Sequence, residues 1–165
     1  MYTEMKRSIL LIIFLFSTLW AVAQDLPDAK VQDRRGKAVD VAGWTDGQTP
    51  FILSFWSTTC KPCLKELDIL SENFDDWNTE KPFRVIAVSI DDSRSLARAK
   101  ALAAGSGWDM FEVFFDVNSD FKRAMNVSMV PHVFVFDKNG KQVYTHIGYK
   151  PGDEEELFDV IKKLK

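Results

Sequence analysis

Cysteine is almost absent from this chain of 165 residues: it has two, Cys60 and Cys63, and histidine is as rare, with His132 and His146 alone. Two cysteines cannot build the multiply bridged framework of a small extracellular domain, and a pair this close in sequence closes too small a loop to restrain the unfolded chain much. Two cysteines and two histidines at these positions also fit no zinc-finger pattern, which draws four ligands from paired motifs. Basic clusters are missing too. The formal charge is −3, and no stripe of Lys and Arg stands against it, which argues against nucleic acid and anionic membrane surfaces as partners. No internal repeat or low-complexity linker divides the chain, and its length suits one domain with a single core.

Long hydrophobic runs are lacking as well. The opening "MYTEMKRSILLIIFLFSTLWAVAQ" has Lys6 and Arg7 at its start and an apolar stretch from Ile9 to Leu19 that Ser17 and Thr18 interrupt. That stretch is shorter than the roughly 20 residues a bilayer-spanning helix needs. Ala21-Val22-Ala23 forms an A-x-A cleavage signal. Residues 1–23 therefore read as a signal peptide cut before Gln24, and residues 24–165 as one exported domain; an uncleaved N-terminal membrane anchor is the alternative. The expected compartment is the periplasm of a Gram-negative-type cell. No cysteine lies near the cut, so a lipid-bearing N-terminal cysteine is excluded.

What the chain does have is clear periodicity. "KVQDRRGKAVDV" reads as a hairpin turning at Arg34-Arg35-Gly36. "PFILSFW" (50–56) and "FRVIAVSI" (83–90) are continuous apolar runs, as expected of strands buried on both faces. Leu64, Leu67, Leu70, Phe74 and Trp77 recur at helical intervals after the cysteines. "DDSRSLARAKALAAGSG" predicts a helix with Asp91-Asp92 as caps, "MFEVFFD" a strand, "SDFKRAMNV" a short helix and "HVFVFD" (132–137) a strand. "KNGK" turns into "QVYTHIGY", and "PGDEEELFDVIKKLK" is a terminal helix whose acidic start and Lys-rich end complement the dipole. Phe51, Phe55, Phe114, Phe134 and Phe136 are assigned to the core. The order predicts an α/β fold with a mixed sheet flanked by helices.

The cysteines lie in "WSTTCKPCLKE", where a buried strand turns into a helix. This puts the first sulfur at a helix N-terminus, beside unpaired backbone N–H groups and the positive end of the dipole, which favours thiolate, the reactive form. Lys61 adds a cation, and Pro62 stiffens the first turn where a missing N–H costs nothing. Cys60 is the expected nucleophile and Cys63, one turn inward, the resolving thiol. An inert local disulfide and metal binding are the alternatives.

"FILSFWSTTCKPCLKEL", followed some seventy residues later by "VSMVPHVFVFDKNGKQV", resembles the thioredoxin superfamily, in particular its exported TlpA/ResA-like branch. The resemblance spans the chain from about Leu26 onward. It implies a thioredoxin fold with an N-terminal β-hairpin and an inserted strand-helix block around Phe111 to Val127. It also implies a cis bond at Val130-Pro131 facing the dithiol, with the Val130 backbone left to pair with an extended peptide. Glu66 matches an acidic residue of the branch and would accept the Cys63 proton; a solvated helix glutamate is the alternative. Ser54 stands where minimal thioredoxins carry a buried aspartate. Thr59 replaces a common tryptophan, which makes the rim smaller and more polar.

His132 reads as a satisfied structural residue. Trp56 is expected under the active-site loop, lending part of an apolar docking surface with Pro62, Val130 and Tyr149. The activity implied is thiol-disulfide exchange through the Cys60-Cys63 couple, with no bound cofactor and no metal. By resemblance the partners are disulfide-containing exported proteins, among them apocytochromes, and a membrane protein that donates reducing thiols to a monomeric domain. A disulfide oxidase or isomerase is the alternative within this chemistry. A copper-binding or delivery module using Cys60, Cys63 and His132 is the alternative outside it.

Overall fold

The apolar runs of the sequence become the middle of a seven-stranded sheet in the computed structural model, which describes residues 25–165. The expected signal segment 1–23 and the cut before Gln24 lie outside the described residues. In chain order the elements are β1 (Lys30–Gln32), β2 (Ala38–Asp40), a 3-10 turn (Val41–Trp44), β3 (Phe51–Trp56), α1 (Lys61–Glu80), β4 (Arg84–Ser89), α2 (Leu96–Gly105), β5 (Glu112–Phe115), α3 (Asp120–Ala124), β6 (His132–Phe136), β7 (Gln142–Ile147) and α4 (Asp153–Lys163).

The strands lie in the order β2-β1-β5-β4-β3-β6-β7. Helical crossovers make β3, β4 and β5 parallel, whereas β6 returns antiparallel to β3 and β7 antiparallel to β6. β3 is central, and all six of its residues are buried. On one face Ile52, Trp56, Val85, Ala87, Val133 and Val135 pack under α1, α2 and α4 through Leu67, Leu70, Ala99, Leu157 and Ile161. On the other Phe51, Leu53, Phe55, Ile86, Val88 and Phe134 meet Val41 and Trp44 from the 3-10 turn, Phe121 from α3 and Met125 at its C-cap. The period-two alternation of a strand thus feeds two cores at once. Among the described residues no helix is long and apolar enough to cross a membrane.

The hairpin β1–β2 joins the sheet through β5, and the β5–α3 block forms the insertion expected. Arg84 ties this side together: its Nε donates to Glu112 across the β4–β5 pair at 2.6 Å, and its Nη1 donates to the Trp44 carbonyl at 2.6 Å. The Glu112 partner raises the guanidinium's already high pKa, against a smaller opposing effect of burial.

The last hairpin turns at Asp137–Lys141, where the Asp137 carboxylate accepts from the backbone N–H groups of Asn139 and Lys141. Gly140 holds φ +81°, and a Cβ there would fall 2.7 Å from Thr45 Oγ1. Gly140→Ala is therefore expected to destabilise the fold by about 2 kcal/mol, from the left-handed backbone and the displaced threonine together. A urea denaturation midpoint unchanged from wild type would refute this.

Candidate active site

After β3 the chain turns once through Ser57–Cys60, where the Cys60 N–H donates to the Ser57 carbonyl at 3.1 Å, and α1 begins at Lys61. Cys60 is the N-cap. Its backbone is outside the helical region, its carbonyl accepts from the Leu64 N–H, and its Sγ accepts from the Cys63 N–H at 3.3 Å. One of the orphan donors of the helix end therefore points at sulfur. Cys60 and Cys63 are joined as a disulfide. Cys60 is partly exposed, whereas Cys63 is fully buried in the cluster that includes Trp56 and Leu67. Lys61 and Pro62 are exposed on the rim, Pro62 in the first turn.

Asp91 holds this loop in place. Its carboxylate accepts from the Thr58 N–H at 2.9 Å, the Thr58 hydroxyl at 2.8 Å and the Ser89 hydroxyl at 2.8 Å. The reading of Asp91 as a helix cap is thus corrected: Asp92 makes the turn, accepting from Arg94 and Ser95 N–H, while Asp91 reaches back to the dithiol loop. The cause is register. Trp56 and Ser89 are paired in parallel, so the residues two beyond each strand end, Thr58 and Asp91, meet.

A second correction concerns Trp56, which has no exposed surface and meets Trp108 edge-on at 5.2 Å. It cannot contribute to a docking surface. Its place beneath the loop is structural, backed by Trp108, whose Nε1–H donates to Asp68 at 2.9 Å.

Val130-Pro131 is cis. Val130 is half-buried and packs against both cores, Pro131 is buried, and the neighbouring Met129 is 59% exposed. The Pro131 carbonyl accepts from Gly148 N–H, and among the described residues no hydrogen bond uses the Val130 backbone. His132 lies in the sheet with its ring stacked on Phe134. The Thr145 hydroxyl spends its proton on the Val133 carbonyl, so His132 Nε2–H must donate to Thr145 Oγ1 at 3.1 Å. Burial, with a smaller push from His146, drives its pKa down to about 4. It does not join the sulfurs: among the described residues no three Cys, His, Asp or Glu side chains converge as a metal site requires.

Glu66 is 0% exposed, so the solvated-glutamate alternative is overturned. It follows Cys63 on the buried face of α1, one turn on, which puts the two side chains on one stripe. Its Oε1 meets His146 Nε2 of β7 at 2.8 Å, and among the described residues its Oε2 has no hydrogen-bond partner. Burial raises the carboxyl's pKa above the ordinary value and His146 pulls it part of the way back. Ser54, also fully buried, leaves no second acid on β3.

A family model, Redoxin, matches residues 21–161. The chain belongs to the Redoxin family. Thiol-disulfide oxidoreductase ResA of Bacillus anthracis is 29% identical over 143 residues, covering 87% of this chain and 78% of the relative. A solved thioredoxin-like protein of Porphyromonas gingivalis is 46% identical, with a TM-score of 0.75 over 84% of this chain and 90% of that one. A Chlorobium tepidum structure described as a thiol:disulfide interchange protein, DsbE, is 28% identical, with a TM-score of 0.70 over 85% of this chain and 94% of that one. The fold is thus the thioredoxin fold of the TlpA/ResA-like branch, and the protein is a thiol-disulfide oxidoreductase.

Two roles at this site are not read from the sequence: the hold of Asp91 on the dithiol loop and the contact of His146 with Glu66. Asp91 was discoverable from the parallel pairing of the two apolar runs. His146 was not, because its partner Glu66 is eighty residues away and no local pattern links them. Asp91→Ala removes three hydrogen bonds to one carboxylate and is expected to cost about 2–3 kcal/mol in urea denaturation of the oxidised protein. A loss below about 0.5 kcal/mol, the usual range of an idle surface change, would mean that Asp91 does not anchor the loop.

Proposed function

We propose that this oxidoreductase reduces disulfides of exported proteins through its Cys60-Cys63 dithiol. The observation that carries the reading is the asymmetry of the pair: one sulfur partly exposed at a helix N-terminus, the other buried one turn before a buried carboxylate. The Cys60 thiolate attacks a partner disulfide and forms a mixed disulfide. Cys63 gives its proton to Glu66, attacks the Cys60 sulfur and releases the partner as a thiol, which leaves Cys60–Cys63 oxidised. The chain needs no bound cofactor for these steps.

An extended segment of the partner lies along the rim made by Lys61, Pro62, Val130 and Pro131, pairing with the unused Val130 backbone. In the periplasm, where the signal peptide would direct the domain, a membrane protein carrying reducing thiols recharges the couple. Apocytochromes, whose haem-attachment cysteines must stay reduced, are the substrate class the resemblance favours, and the domain works as a monomer.

Cys63→Ser is expected to trap partner proteins on Cys60 as mixed disulfides, and Cys60→Ser to trap few, as read on non-reducing gels of periplasmic extracts. Equal trapping by both variants would overturn the division of labour. Glu66→Gln is expected to slow dithiol oxidation and move its rate profile to higher pH. The sign follows because the amide takes no proton, so Cys63 thiolate must form by direct loss to water, which needs a higher pH than loss to a carboxylate. Stopped-flow profiles of wild type and variant that superimpose across about pH 5 to 9 would remove Glu66 from the mechanism.

A further inference from the structure

His146 has no place in the mechanism so far, yet among the described residues it supplies the single hydrogen-bond partner of the buried carboxylate. Its Nε2 meets Oε1 of Glu66 at 2.8 Å, while among the described residues Oε2 has no partner; Glu66 and Cys63 are both fully buried on α1, one turn apart. The imidazole is nearly buried, and it lines a pocket of about 340 Å³ with Tyr144, Ile147, Tyr149, Asp153 and Glu156; Glu66 is not on that wall. His146 thus stands between the carboxylate and this pocket.

We propose that His146 is the positioning residue of the resolving step: it holds Oε1 of Glu66, leaves Oε2 to receive the Cys63 proton, and when protonated keeps that buried carboxyl ionised. The inference rests on Glu66 being the proton acceptor for Cys63. In the step, the Cys63 S–H bond breaks and an O–H bond forms on Oε2. The resulting thiolate forms the Cys60–Cys63 bond as the bond from Cys60 to the partner sulfur breaks. The dithiol is oxidised by two electrons and the partner disulfide reduced. When a thiol donor later reduces Cys60–Cys63, Cys63 leaves as thiolate and takes its proton back from Glu66.

The surroundings explain why such a group is required. Asp153 and Glu154 from the first turn of α4 act on Glu66 as like charges and oppose its ionisation, as does burial. Tyr144 on β7 and Tyr149 beyond it are neutral phenols, each pushed up to about 12 by burial and by Glu156 and Glu154 respectively. His132 on β6 is held neutral by its own burial. Lys150 pairs weakly with Asp153, at 3.8 Å, and is exposed. Among the described residues around Glu66, His146 alone pairs with it and can carry a compensating positive charge.

The test follows the second half of the reaction in reduced protein mixed with oxidised glutathione, acid-quenched and read by mass spectrometry as decay of the Cys60–glutathione mixed disulfide. Relative to wild type, His146→Gln keeps an N–H donor for Oε1 but carries no charge. It is expected to slow the decay about tenfold, with formation of the mixed disulfide unchanged. Glu66→Gln should slow the decay at least as much, and the double variant should be no slower than Glu66→Gln, since the two act through one carboxylate. Excess imidazole should restore the decay in His146→Gly, a rescue that lost packing alone would not give.

Wild-type decay in His146→Gln together with slow decay in Glu66→Gln would overturn the role of His146 and leave that of Glu66 standing. Wild-type decay in Glu66→Gln would overturn both. Equal slowing by His146→Gln with and without Glu66 would show that the histidine acts elsewhere, and this too would overturn the inference.

Discussion

The junction between β3 and α1 carries the rest of the molecule, because a helix N-terminus can favour a thiolate only if its unpaired N–H groups are held still and partly dry. β3 delivers Cys60 to that point from the centre of the sheet, flanked by β4 and β6. The strand before the site is buried on both faces, so its end cannot shift without disturbing two cores. Trp56 closes the strand beneath the loop and Trp108 backs it. The Asp91 carboxylate then pins the loop from the neighbouring strand with three hydrogen bonds. Each device acts on the four residues between strand and helix, where a small displacement would move the sulfur away from the donors that stabilise its charge.

The cost of this arrangement appears on the inner side. Resolving a mixed disulfide needs a base next to a buried thiol, and a base in an apolar core resists its own ionisation. In the mechanism proposed above, a histidine on the last strand, instead of solvent, meets that conflict. β7 is an edge strand whose residues alternate between half-buried and exposed, which lets it present His146 inward without another strand beyond it. The acidic first turn of α4 packs against the same region, with Asp153 and Glu154 largely buried and bonded to the backbone N–H groups of Lys150 and Gly152. Those bonds order the turn, and the same charges make Glu66 harder to ionise. In the proposed mechanism, ordering this turn and the thiol chemistry therefore compete.

Most of the architecture was legible in the residues because its signals are local. Continuous apolar runs marked β3 and β4, a helical period marked α1, and Asn139-Gly140 marked the last hairpin. The cysteine pair was legible for the same reason: its chemistry depends on a strand, a turn and a helix that adjoin in sequence. Glu66 was only half legible, since a glutamate on a helix is usually solvated and only the packed structure shows which face it occupies. Trp56 was misplaced because alternation along a strand does not tell how deep a side chain lies once the helices are laid over it. Asp91 was misread because Asp-Asp before a helix is also a common cap, and here the two neighbours divide the tasks.

His146 marks the boundary of what local pattern can supply. Its position along β7 is ordinary, half-buried between exposed Thr145 and Ile147, and it pairs across the sheet with Val133, not with any residue of the site. It reaches Glu66 only because α1 packs over the face of the sheet toward which β7 turns its half-buried residues. The two side chains are brought together by the same packing that buries Leu67 against the strands. A reader of the chain would need the sheet order, the face and the helix phase all at once to place them. The first two follow from topology and the third from the apolar stripe of α1, so the contact is a product of the whole fold and not of any segment of it.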